Sequence, residues 1–206
     1  MRIQKLREAM AQTGADAALI MTDENILYYS CFTGSSSQLL ITADEQYLFT
    51  DARYTEQAEN ETDFTVIETK GPARFSAIFE LAKKAGRRVG IDLSGLSYAA
   101  YRACLDHVDE SDITDLSGLI ERQRIVKDEK ELALIQKGAQ HNDELFSHLC
   151  TLLRPGITEL DIKAEIIYYM NKNGADSAFA PLWHPAPIRA CRTQRPQTVS
   201  WSRAIW

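Results

Sequence analysis

The side chains best suited to metal chemistry in this chain are His141, Glu144 and His148. They lie at i, i+3 and i+7 of a segment that reads as one long helix, so they share a face. A helical metal pair normally sets two histidines one turn apart, at i and i+4, and here they stand almost two turns apart. That spacing predicts ordinary helix histidines. Asp51 and Arg53, at the end of a strand-like run, are the next pair with possible chemistry. A carboxylate two residues before a guanidinium is expected to cap the following helix or to pair locally. Cys31, Cys104, Cys150 and Cys191 are far apart and form no CxxC, which predicts reduced thiols rather than a disulfide framework or a zinc site. The run from Lys127 to Glu131 reads as a solvated helix start with Lys127 and Glu131 paired at i, i+4. No complete catalytic set emerges from these residues.

The elements that must position them follow from periodicity. With 206 residues, 45% of them hydrophobic and 25% charged, the chain is globular and long enough for one domain and the start of another. A net charge of −6 argues against a nucleic-acid partner. No run approaches the roughly 20 apolar residues that span a bilayer, and the N-terminus is an amphipathic helix rather than a signal peptide, so a cytoplasmic protein without a membrane partner is expected. Ile3, Leu6 and Met10 define the first helix, with Gly14 as its stop. Residues 17–21 form a short apolar strand, and 38–42 with 46–50 a hairpin. A helix over 53–60, a strand over 64–68, a helix over 74–85, a strand over 88–91 and a helix over 97–107 capped by Ser97 complete an alternation. Such alternation implies an α/β fold, a partly parallel sheet flanked by helices.

Beyond Asp115 the pattern changes. Residues 129–153 form a long helix with Leu132, Ile135, Ala139, Phe146 and Leu149 on one stripe, broken at Arg154-Pro155-Gly156. Thr158 caps a second helix that stops at Gly174. Two helices with broad apolar faces expect a sheet to cover them, so exposed apolar surface is predicted. The boundary falls near residues 120–127. From Leu182 to Trp206 the sequence shows no period of either kind. Read one base over, with wobble positions chosen within the code, those residues become Val-Ala-Ser-Gly-Pro-Asn-Ser-Gly-Val-Pro-His-Ala-Thr-Pro-Thr-Asp-Arg-Ile-Val-Glu-Pro-Gly-Asp-Met. The tail is therefore expected to be frameshifted, and His184 and Cys191 are set aside with it.

The residues Asn25-Ile26-Leu27-Tyr28-Tyr29-Ser30, Phe32-Thr33-Gly34-Ser35 and Thr50-Asp51-Ala52-Arg53-Tyr54 resemble the creatinase-type N-terminal domain of Xaa-Pro aminopeptidases and prolidases. Arg124-Ile125-Val126-Lys127 through Leu132, then Pro155 to Glu159, then Gly174 to Pro181, resemble the opening of that family's pita-bread catalytic domain. The order and spacing match over residues 1–181, and the shifted tail resembles the next segment. Cys31 departs from the pattern, standing where the family usually has Gly, and suggests a backbone that does not need positive φ.

The resemblance implies a domain of mixed sheet and helices over 1–122, an incomplete pita-bread domain over 123–181, and the frameshifted tail over 182–206. It implies a parent enzyme that cleaves Xaa-Pro bonds in proline-containing peptides with two divalent ions (Mn, Co or Zn), held by two Asp, one His and two Glu, all downstream of this chain. No catalytic residue and no metal ligand is assigned here, and the chain itself is expected to be inactive. It further implies a homodimer through the N-terminal domain. Phe32, Thr33, Gly34, Ser35, Ser36 and Ser37 become the one segment that could face substrate, across the dimer. Without that role they read as a tight Gly/Ser turn. Two other readings are a free-standing dimerisation or binding module, and a fragment of a creatinase-like amidinohydrolase.

Overall fold

Central strands buried at consecutive positions, and so on both faces, build the core. A computed structural model describes residues 2–71 and 73–176, and they divide into two units between Val126 and Lys127. In the first unit six strands lie in the order β4-β3-β2-β1-β5-β6: β1 (Ala17–Ile20), β2 (Gln38–Thr42), β3 (Gln46–Thr50), β4 (Thr65–Glu68), β5 (Val89–Ile91) and β6 (Ile113–Asp115). β1–β2 and β2–β3 are antiparallel, and the other three pairings are parallel. The β2–β3 hairpin spans the residues expected of it, with Thr42 accepting and donating across the turn to Glu45.

Because successive side chains point to opposite faces, Ala18, Ile20, Leu39, Ile41 and Leu48 pack on one side with Leu6, Met10, Ile26, Phe32 and Ile120. Ala17, Leu19, Leu40, Phe49 and Ile91 pack on the other with Ile78, Phe79, Ala82 and Cys104. Helices α1 (Arg2–Thr13), α2 (Asp23–Ser30), α3 (Thr55–Glu61) and α6 (Ser117–Ile125) therefore contribute to the first face, and α4 (Ala73–Ala85) and α5 (Tyr98–Leu105) to the second. Gly14 ends α1 at φ 71°, and Ser97 caps α5 by accepting from the Ala100 N–H, both as expected. Burial pushes the Cys104 thiol up to about 11.

Three elements carry no periodicity signal: α2, β6 and α6. The division between Val126 and Lys127 lies within the region of residues 120–127 expected to hold the boundary, and α6 stands on the N-terminal side of it. Helix α6 belongs to the first unit because Leu116 and Ile120 are buried in its core and Tyr28 and Tyr29 donate to Gln123.

The expectation for Cys31 is overturned. Cys31 is the C-cap of α2 with φ 61°, and its N–H donates to the Leu27 carbonyl at 2.9 Å. The helix stops with a left-handed residue whatever side chain stands there, and a Cβ makes that conformation costly. Cys31→Gly is thus expected to stabilise the domain by about 1 kcal/mol. Urea unfolding followed by circular dichroism measures it as a higher midpoint at unchanged slope.

In the second unit α7 (Glu129–Leu152) and α8 (Glu159–Lys172) each open with a capping box, Asp128 with Glu131 and Thr158 with Asp161. Leu145 and Ile162 are its buried apolar side chains. Leu132, Leu134, Ile135 and Phe146 on α7, and Leu160, Ile167 and Tyr168 on α8, remain exposed. The expected uncovered apolar surface is present among the described residues. The frameshift reading of 182–206, with His184 and Cys191, lies outside them, as do residues 177–181.

Candidate functional site

Phe32 to Ser37 connects α2 to β2, and side chains from the end of β3 and from α3 shape it. Phe32 is buried and meets the Tyr54 ring edge-on, centroids 6.2 Å apart. The Thr33 N–H donates to Glu61 at 2.8 Å, and the Thr33 hydroxyl lies 2.9 Å from both Glu61 oxygens. Gln57 Nε2 donates to the Thr33 hydroxyl and to Glu61, each at 2.9 Å. These hydrogen bonds, led by the Thr33 amide, hold the Glu61 carboxyl below its ordinary value. Ser35 Oγ and the Tyr54 hydroxyl are 2.8 Å apart.

The segment runs as an irregular connection that bends at Ser35 and Ser36, with an unexpected division of labour. Ser36, not Gly34, takes the left-handed conformation, at φ 63°. Gly34 instead serves a close approach: a Cβ there would lie 2.4 Å from Phe32 Cζ and 2.8 Å from Tyr54 Cδ1. The Ser36 hydroxyl donates to Asp51 at 3.0 Å, and buried Arg74 donates to the Ser36 carbonyl at 2.9 Å and to Gln38 Oε1 at 3.1 Å. Ser37 is buried, and its hydroxyl has no hydrogen-bond partner among the described residues. An open groove of about 260 Å³ runs beside the loop, lined by Asp23, Glu24, Leu27 and Phe32 to Ser35.

Asp51 and Arg53 form the local pair that their spacing suggests. Arg53 donates through Nε and Nη2 at 2.9 and 2.8 Å, and these bonds hold the Asp51 carboxyl well below the usual carboxylate range. Asp51 does not cap α3, whose N-cap is Tyr54. His141 and His148 do not converge. His141 lies 3.6 Å from Glu144, whereas His148 meets Glu165 of α8 at 2.6 Å and stacks on Tyr169. Among the described residues no three His, Cys, Asp or Glu side chains are grouped to hold a metal ion, so the donors present here do not fit one. Cys31, Cys104 and Cys150 are free thiols. No helix among the described residues is long and apolar enough to cross a membrane.

A separate polar hub has no sequence signature beyond Asn25 and Arg124, which stand in the quoted stretches. Asp92, fully buried at the end of β5, accepts from Asn25 Nδ2, from Thr22 Oγ1 at 3.0 Å and from the Ser94 hydroxyl at 2.8 Å. Arg124 of α6 donates to Asn25 Oδ1 at 2.8 Å. The hub ties the start of α2, the β5 end and α6 together.

These features define an α/β domain of mixed sheet that presents a braced loop. The family model for the creatinase/prolidase N-terminal domain matches residues 2–126, and the chain belongs to that family. Uncharacterized peptidase YqhT of Bacillus subtilis (strain 168) is 30% identical over 179 residues, which are 86% of this chain and 51% of the relative. The structure of an Xaa-Pro dipeptidase from Bacillus anthracis superposes with a TM-score of 0.75 at 28% identity, covering 84% of this chain and 48% of that one. An N-terminal domain of cytoplasmic peptidase PepQ from Mycobacterium tuberculosis H37Rv matches 59% of this chain and 97% of its own, with a TM-score of 0.53 and 29% identity. The chain spans about half the length of the curated relatives it matches.

Proposed function

We propose that this chain is the N-terminal portion of a metal-dependent exopeptidase that cleaves Xaa-Pro bonds in proline-containing peptides. The observation that carries this reading is the extent of the likeness. The family model ends at residue 126, while the alignment to the peptidase relative takes in 86% of the chain and so continues into α7 and α8. A free-standing module would need only the first part. On this reading α7 and α8 open the pita-bread catalytic domain, and their exposed apolar faces are those the rest of that domain covers. The parent would be cytoplasmic and dimeric through the first unit, with Phe32 to Ser37 facing a peptide held by the neighbouring subunit.

Two divalent ions, Mn, Co or Zn, would supply the parent with an activated water and a Lewis acid. Their two Asp, one His and two Glu would lie beyond the residues that match here, and the content of 182–206 is that of the parent's next segment one base out of frame. Purified 206-residue protein is therefore expected to release no product from an Xaa-Pro dipeptide with Mn²⁺, Co²⁺ or Zn²⁺ added. Metal-dependent cleavage above a protein-free control would defeat that expectation.

A further inference from the structure

Among the described residues the side chains that hydrogen-bond residues 33–35 are Tyr54, Gln57 and Glu61, and Glu61 holds the largest share. Its two oxygens take both the main-chain N–H and the hydroxyl of Thr33, across 28 positions of sequence, while Gln57 fixes the carboxylate from its own helix. The Thr33 hydroxyl is thereby engaged by Glu61, as the Ser35 hydroxyl is by Tyr54. Gly34 lies between them, where the rings of Phe32 and Tyr54 leave no room for a side chain. We infer that Glu61 is the positioning residue of this loop, setting the shape that residues 33–35 offer to a peptide. The inference rests on the proposed function for its meaning to catalysis, but not for its physical content. A carboxylate is suited to the task because it accepts from a backbone and a hydroxyl donor at once, and charge-assisted acceptors make the stronger hydrogen bonds.

The test is backbone ¹⁵N relaxation on the full chain, comparing wild type with Glu61→Ala and Glu61→Gln. In the wild type the amides of residues 33–35 should show order parameters near those of rigid backbone, about 0.85, and in Glu61→Ala they should fall below about 0.6. Glu61→Gln, which keeps one acceptor oxygen but sets an amide against Gln57, should fall between the two. The Thr33 amide proton should also move upfield in Glu61→Ala, since its acceptor is gone. Helix α3 supplies the control: the Ala58 and Thr62 amides should keep their order in all three proteins. Unchanged order at 33–35 in Glu61→Ala would overturn the inference. Equal loosening of the loop and of α3 would also overturn it, by showing that Glu61 merely ends the helix. Neither result depends on any peptide being cleaved, so the parent activity stands or falls separately, in the assay of the preceding section.

Discussion

Asp92→Ala is expected to lower the stability of the first unit by about 2–3 kcal/mol, because a buried donor left without a partner costs about 1–3 kcal/mol. The substitution strands the buried Asn25 Nδ2 and removes the acceptor of the half-buried Thr22 hydroxyl, while the exposed Ser94 hydroxyl can turn to water. For a domain of this size such a loss corresponds to a midpoint roughly 10 °C lower. Thermal unfolding followed by far-ultraviolet circular dichroism measures it. Asp92→Asn should lie between, since it keeps an oxygen acceptor but turns an amide toward Asn25.

The pH dependence separates the charge from the shape. Burial alone would push the Asp92 carboxyl up, but the hydrogen bonds from Ser94, Asn25 and Thr22 outweigh it and hold the group below its ordinary value. A carboxyl depressed in the folded state contributes stability above its unfolded value near 3.8, and that contribution is lost as pH falls through the folded value. The gap between wild type and Asp92→Asn should therefore be full at pH 7 and shrink below about pH 4. A gap that does not change with pH would show that Asp92 acts by shape alone.

Gly90→Val should be the next most damaging change, through overpacking. Gly90 lies in β5 opposite Leu116, and a bare Cβ at 90 would already stand 2.3 Å from Leu116 Cδ1 and 2.7 Å from Cγ. Leu116 is fully buried and its N–H donates to the Ile91 carbonyl, so it has little room to retreat. Extra methyl groups in a packed core cost about 1–3 kcal/mol, and Gly90→Ala should cost less than Gly90→Val. The displaced side chain precedes α6, so the loss should also weaken the contacts of Tyr28 and Tyr29 with Gln123. Urea titration of the two variants beside the wild type measures the order. Equal midpoints would show that the strand yields at no cost.

The sequence makes the sheet legible where burial alternates or runs unbroken, as in 17–20, 38–42 and 46–50, and it makes helix ends legible where a cap is spelled out, as at Gly14, Ser97, Thr158 and Gly174. Helix α2 escapes because its eight residues bury Asn25, Ile26, Tyr29 and Ser30, a face half polar in composition. Its polar members belong to the Asp92 hub or bond back to the helix, and pairing across 67 positions leaves no local pattern. The segment was legible as a connection between elements, but its braces were not. Glu61 reads as one more surface carboxylate at a helix end until the fold brings it to Thr33. Cys31 misled because a residue type suggests what φ is comfortable, while the helix it terminates dictates what φ is adopted. The boundary at 126 was blurred by α6, a nine-residue helix whose last turn carries Arg122 and Arg124 and so looks solvated.

The most direct test of the central claim is to sequence the encoding DNA from codon 181 through several hundred bases beyond it. If this chain is the first part of an Xaa-Pro metallopeptidase, the frame one base over should run on from the Val-Ala-Ser-Gly and Pro-His segments into two Asp, a His and two Glu at the family's spacing. A reading frame that closes after Trp206, with no such residues in any frame downstream, would contradict the claim and leave a domain that binds or dimerises without a catalytic partner of its own.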